Sequence, residues 1–197
     1  LPSVTTILGI LAKPGLDHWK LQKVAEAALA DPGIDIKEAI NAPNKVRDAA
    51  ASKGSDIHKI IDLHFKKEPV EIDNYDEPWR SYIEAYFNYV RFMPHTILKA
   101  EQVVYSIKHG FAGQCDAIIQ AGDTVFLIDY KTSKAVDRKG YGMQLSGYKL
   151  ALEEMGTHID KLAVLQLKPD KTFEFVEVPY TPDEFLAALR LYTFINS

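Results

Sequence analysis

Cysteine is almost absent from this sequence: Cys115 stands alone among 197 residues. One thiol excludes an internal disulfide framework, a cysteine-rich zinc site and a four-cysteine iron–sulfur cluster. It fits a reducing, intracellular compartment. Long apolar runs are missing as well. None approaches the ~18 residues of a membrane span, so no membrane partner is expected, and no secretory signal opens the chain. The first residue is Leu1 rather than Met, as in a fragment of a longer chain. There is no excess of basic charge. Lys+Arg 23 against Asp+Glu 27 leave a formal net charge of -4, which argues against a sequence-blind nucleic-acid coat. What the chain does have is apolar mass, 47% of its residues, enough for one packed domain over 1–197.

The two halves differ in pattern. Residues 1–95 read as helical. Ser3 caps a short helix through Ile7, Leu8 and Leu11, and Pro14-Gly15 breaks it. A second helix is expected over Asp17–Leu29, stopped by Asp31-Pro32-Gly33. A third covers Asn44–Lys67, where Val46, Ala50, Ile57, Ile60, Ile61 and Phe65 recur at helical spacing. Gly54 interrupts it, which suggests close approach of another helix or a ligand. An aromatic-rich helix follows over Glu77–Met93. Trp19 has two readings, a core residue or a stacking platform for a nucleobase. His58, one turn past Gly54, reads by itself as a structural or exposed histidine, as do His64 and His109.

From Thr96 onward the pattern becomes β-β-β-α-β-β-α. Strands are expected over Ile97–Ile107, Phe111–Gln120, Thr124–Lys131, Lys161–Leu167 and Thr172–Val178. A helix is expected over Tyr141–Glu154 and another from Thr181-Pro182 onward. The short turns Lys108-His109-Gly110 and Ala121-Gly122-Asp123 imply an antiparallel meander. The helix after the third strand permits a parallel crossover. The fold class is α/β, a mixed sheet flanked by helices.

The chemistry concentrates on two adjacent strands. Asp129 and Lys131 sit two residues apart at the end of an apolar strand, so they share a face. Counted outward from Gly122, Asp116 lies nearly opposite Asp129. Two neighbouring carboxylates repel unless a cation joins them, and hard oxygen ligands select Mg²⁺ or Mn²⁺. Lys131 would donate to an attacking water or to the transition-state phosphate. Glu101, on the first strand, is either a further ligand or an ion-paired strand acid. Thr132, Ser133 and Lys134 place hydroxyls and a cation where phosphate oxygens would lie. From Lys131 to Lys149 the cations Lys131, Lys134, Arg138, Lys139 and Lys149 face Asp137 alone, which suits a phosphate backbone. Gln144 and Tyr148 share a helix face at i, i+4. Gly113 leaves room for close approach.

Glu101, Gly113-Gln114-Cys115-Asp116, Ile128-Asp129-Tyr130-Lys131-Thr132 and Gln144-Leu145-Ser146-Gly147-Tyr148 together resemble the motifs of the PD-(D/E)XK nuclease superfamily. The Gln-x-x-x-Tyr element resembles its RecB-type branch. Pro2-Ser3-Val4-Thr5-Thr6-Ile7-Leu8, Trp19 and Gly54-Ser55-Asp56-Ile57-His58 are similar to the mitochondrial genome maintenance exonucleases and their bacterial and phage relatives. The resemblance covers Pro2 to about Tyr148. It implies a restriction-endonuclease-like fold with a helical wall or arch over 1–95 and a catalytic core over 96–197. It implies a metal set of His58, Asp116, Asp129 and the carbonyl of Tyr130, with Lys131 and Glu101 in the catalytic centre. Gln144, Tyr148, Ser133, Lys134 and Trp19 would contact DNA. The implied activity is exonucleolytic hydrolysis of single-stranded DNA ends with Mg²⁺ or Mn²⁺, in a bacterial or phage-infected cytoplasm or a mitochondrial matrix. An endonuclease, a nuclease for double-strand ends and a non-catalytic DNA-binding module stay open as alternatives.

Overall fold

The computed structural model describes residues 1–197 apart from Lys13, Pro78 and Lys134; the side chains of residues 49–56 also lie outside the description. The chain forms two compact units, Leu11–Asp56 on one side and Leu1–Ile10 with Ile57–Ser197 on the other.

The larger unit holds the sheet. Strands β1 (Thr96–Ser106), β2 (Phe111–Ala121), β3 (Thr124–Lys131), β4 (Lys161–Leu167) and β5 (Phe173–Val178) lie in the order β1-β2-β3-β4-β5. Neighbours are antiparallel except β3 and β4, which are parallel. That parallel pair is possible because helix α5 (Arg138–Glu154) carries the chain from one to the other, a connection no tight turn could make. Gly110 (φ 73°) and Gly122 (φ 59°) supply the left-handed backbone of the two hairpin turns, a conformation glycine adopts without steric cost. The α/β class and the mixed sheet are as expected from the sequence.

One sheet face packs on helix α4 (Trp79–Phe92) and on the part of α3 (Ile36–Phe65) that begins at Ile57. Ile57, Ile60 and Ile61 of α3 and Tyr86 and Tyr89 of α4 meet Ile128 and Leu165 of the sheet in one buried cluster. The spacing of the three isoleucines puts them on a single helix stripe. Each such side chain contributes about 1.5–3 kcal/mol from burial before conformational entropy is counted. The other face carries α5 and α6 (Pro182–Ile195), where the Phe185 ring stands edge-on to Phe111 with centroids 5.0 Å apart. Helix α1 (Val4–Leu8) is capped as its sequence requires, Ser3 Oγ accepting from the Thr6 N–H at 3.0 Å.

In the smaller unit, α2 (Pro14–Ala30) begins at the proline that had been read as a break. Proline fits a first turn, where its missing N–H would have no partner. Helix α3 likewise starts at Ile36, not at Asn44, and runs through Pro43. Asp35 explains the early start, its carboxylate accepting from the N–H groups of Lys37 at 2.9 Å and Glu38 at 3.3 Å. Among the described residues, no helix is long and apolar enough to cross a membrane.

Candidate metal centre

Strand register assembles three acids. Ala117 pairs with Ile128, and one residue further along Asp116 comes opposite Asp129. On the other side of β2, Ala100 pairs with Ala117 and Gln102 with Cys115, which sets Glu101 opposite Asp116. Three neighbouring strands thus bring Glu101, Asp116 and Asp129 to one level. The level is irregular at its edge. Glu101 has φ 48°, a left-handed conformation that a non-glycine residue in a strand holds only under constraint.

His58 reaches this level from α3. Its Nδ1 lies 3.2 Å from Glu101 Oε1 and 3.5 Å from Asp116 Oδ1. Ligand atoms of His58, Glu101 and Asp116 all fall within 4.8 Å of one another. The Tyr130 ring backs the histidine edge-on at 6.2 Å, while the Tyr130 backbone N–H donates to Asp116 Oδ2 at 2.8 Å. Asp129 is 3% exposed. Its Oδ1 accepts from Gln144 Nε2 at 3.0 Å. Its Oδ2 lies 2.5 Å from Lys131 Nζ, but it is buried and accepts no aligned hydrogen bond.

The electrostatics follow from this crowding. Burial and the Asp129 charge push the Asp116 carboxyl up to about 7, against the pull of His58 and Lys131. Burial draws the Lys131 ammonium down, but Asp129 and Asp116 outweigh it and its pKa is raised. The donor set fits a divalent cation. Crowded carboxylates and one imidazole suit Mg²⁺ or Mn²⁺, the imidazole favouring the latter.

The other residues singled out in the sequence lie at different removes. Tyr148 is 5% exposed, and a Cβ added to Gly113 would come within 2.6 Å of its Cε1. Gly113 therefore allows a tyrosine, rather than a ligand, to approach the strand. With Gln144 committed to Asp129, both α5 residues stand behind the carboxylates. Ser133 is exposed, its hydroxyl donating to the Ala135 carbonyl at 3.0 Å. Lys134 lies outside the described residues, as do the side chains of Gly54, Ser55 and Asp56. Trp19 is half-buried on α2, in the smaller unit.

Two glutamines at the site were given no role of their own from the sequence. Gln114 Nε2 donates to Glu101 Oε2 at 2.5 Å; its position two residues before Asp116 was a usable signal. Gln166 is 4% exposed and donates to the Ser133 carbonyl at 2.7 Å. It pairs with Lys131 across the parallel strands, which no local pattern announces.

A family model described as the PD-(D/E)XK nuclease superfamily matches residues 18–193. Among solved structures the chain is similar to one titled "Crystal structure of SSO0001", with 15% identity over 59% of this chain and 58% of that chain and a TM-score of 0.38. It therefore spans less than two thirds of that structure's chain. No curated protein matches it.

Proposed function

Since the chain belongs to the PD-(D/E)XK nuclease superfamily, whose members are metal-dependent nucleases, we propose that it is a DNA exonuclease of the RecB-type branch acting on single-stranded ends. The observation that carries this reading is the meeting of Glu101, Asp116 and His58 within 4.8 Å, with Asp129 opposite Asp116 and Lys131 beside it. His58, Glu101, Asp116 and Asp129 would hold Mg²⁺ or Mn²⁺, with the Tyr130 carbonyl as a further ligand. When bound, the ion supplies Lewis-acid stabilisation of phosphate oxygens and acidifies water.

The chain's own groups divide the remaining work. Lys131 carries a fixed positive charge to where negative charge grows on the phosphate, in a site largely closed to water. Gln144 holds one oxygen of Asp129 and Lys131 the other, which fixes the carboxylate beside Asp116. Gln166 pins the Ser133 carbonyl and so fixes the turn after β3. Ser133 there would offer a hydroxyl to the phosphates next to the scissile one. Tyr148, which packs against Gly113 of β2, would hold DNA near the centre together with Gln144.

The test is end-labelled linear against circular single-stranded DNA, each with Mg²⁺ or Mn²⁺. Linear strands should shorten from their ends and circles persist; circles lost at the same rate overturn the exonuclease reading. Lys131→Ala should lower cleavage about 10²–10³-fold with the circular dichroism spectrum unchanged. Full activity in that variant would place the chemistry elsewhere.

A further inference from the structure

The β1–β2 hairpin continues past the three acids, from Glu101 to Ile107, about 20 Å at strand spacing. Val103 pairs with Gln114 and Tyr105 with Ala112, whereas Val104 pairs with Gly113 and Ser106 with Phe111. Paired residues share a face, so the hairpin has two distinct sides. The side of Val104, Ser106 and Phe111 is buried. The side of Val103 and Tyr105 is open, at 59% and 45% exposure, and Ile107 at its far end is 79% exposed.

This open side begins at the metal centre. Gln114, which lies on it, donates to Glu101, and Glu101 contacts His58. Beyond Glu101 it carries no acid; Val103, Tyr105, Ala112 and Gln114 lead to Lys108 in the turn. In a chain of net charge -4, the strip's own side chains between Glu101 and Lys108 add no negative charge, and the Glu154 carboxylate at its far end is taken up by hydrogen bonds to Ser106, Ile107 and Lys108. The far end is also held in place. Glu154 of α5 accepts from Ser106 Oγ at 2.5 Å and from the N–H groups of Ile107 at 2.9 Å and Lys108 at 3.0 Å. An aromatic ring between apolar neighbours on a fixed ribbon is what stacked bases require.

We propose that this face of the hairpin carries the single-stranded DNA next to the scissile phosphate, with Tyr105 stacking on a base. The inference rests on the nuclease reading above. A second copy of the chain is the rival occupant, because β1 is an edge strand with unpaired backbone groups. Continuity with the metal centre and the uncharged side chains of the strip favour the nucleic acid.

The experiment uses the full chain and a fluorescein-labelled oligo-dT, with Ca²⁺ present, read by fluorescence anisotropy. Tyr105→Ala should weaken binding by about 5- to 100-fold. Tyr105→Trp should restore it, and Phe194→Ala, which removes a still more exposed ring from α6, should leave it unchanged. Cleavage of the same oligonucleotide by the unaltered protein in Mn²⁺ is read in parallel. No cleavage removes the nuclease reading and this inference with it. Cleavage together with undiminished binding by Tyr105→Ala removes this inference alone. A light-scattering mass that falls from dimer to monomer in Tyr105→Ala would assign the face to self-association and overturn the proposal.

Discussion

Strands β3 and β1 each deliver an acid to the same site, yet they hold it by different means. Strand β3 is central, with Phe126 to Tyr130 buried in succession and regular ladders on both sides. Asp129 sits in it as a charge the core must tolerate, and Lys131 and Gln144 compensate it. Strand β1 is an edge. Its register shifts between Ile97 and Lys99, and Glu101 is left-handed and about one-third exposed. Its oxygens are met by His58 and Gln114, with no lysine beside them. A buried acid depends on compensation by neighbouring charge, and an edge acid depends on a backbone conformation that something else must enforce.

This difference predicts unequal consequences for two conservative substitutions. Asp129→Asn removes the buried carboxylate beside Asp116, outside the His58, Glu101 and Asp116 group, and leaves Lys131 without its charged partner. Cleavage should fall by about 10³-fold or more, the scale of losing several kcal/mol of charge stabilisation. Glu101→Gln keeps the shape and the hydrogen bonds at an edge position. It should reduce activity or metal affinity by about 10–100-fold, the scale seen when groups that orient a metal's ligands are lost. Steady-state cleavage rates, together with calorimetric Mn²⁺ titration, check both. Equal losses would break the contrast between core-held and edge-held acids.

Much of this site was legible because its geometry follows from local rules. Alternation along β2 and β3 and the tight turn between them brought Asp116 to within one residue of Asp129; the structure closes the turn on two residues, with Ala121 paired to Thr124, and so sets the two acids level. The lysine followed by parity, since residues two apart on a strand share a face. Glu101 was visible only as an acid in a strand; its left-handed backbone has no signature in a sequence where glycine is the usual marker. The partition of the chain at Asp56/Ile57 was illegible for a related reason. It falls inside the continuous helix α3, and helical periodicity says nothing about which unit a turn belongs to. The start of α3 at Ile36 rather than Asn44 was set by the Asp35 carboxylate on the first N–H groups, and the helix runs on through Pro43. Gln166 reaches Ser133 across a parallel pairing, a contact set by topology and not by neighbours in sequence.

Compensation at the centre also has a pH signature. The Asp116 carboxyl ordinarily titrates near 3.8 but is raised to about 7 by burial and by Asp129. Between those values the folded chain retains a proton that the unfolded chain has lost. Stability therefore falls as pH rises through this window, on the order of a few kcal/mol for a carboxyl so deeply placed. With chelator present, the midpoint of urea unfolding should decline from about pH 4 to about pH 7, and Asp116→Asn should flatten that slope. A flat profile in the unaltered protein, or an unchanged slope in the variant, would mean that the acids of β2 and β3 do not strain the fold.

The smallest effect tests how the edge strand is supported. If Glu101 is left-handed because β1 is fixed on both sides of it, the support beyond it must come from the hairpin turn. There Ser106, wholly buried, donates to Glu154 and accepts from the His109 N–H at 3.0 Å. Ser106→Ala removes both bonds without changing the backbone. The loss should be about 1 kcal/mol of global stability, read as a shift in the urea midpoint. Hydrogen exchange distinguishes where that loss is felt. A clamp predicts faster exchange at Ile107 and Lys108, whose N–H groups share the Glu154 carboxylate, and no change along β3. Exchange that quickens equally in both strands would show that the turn is part of the core's cooperative unit, and that the edge has no separate support.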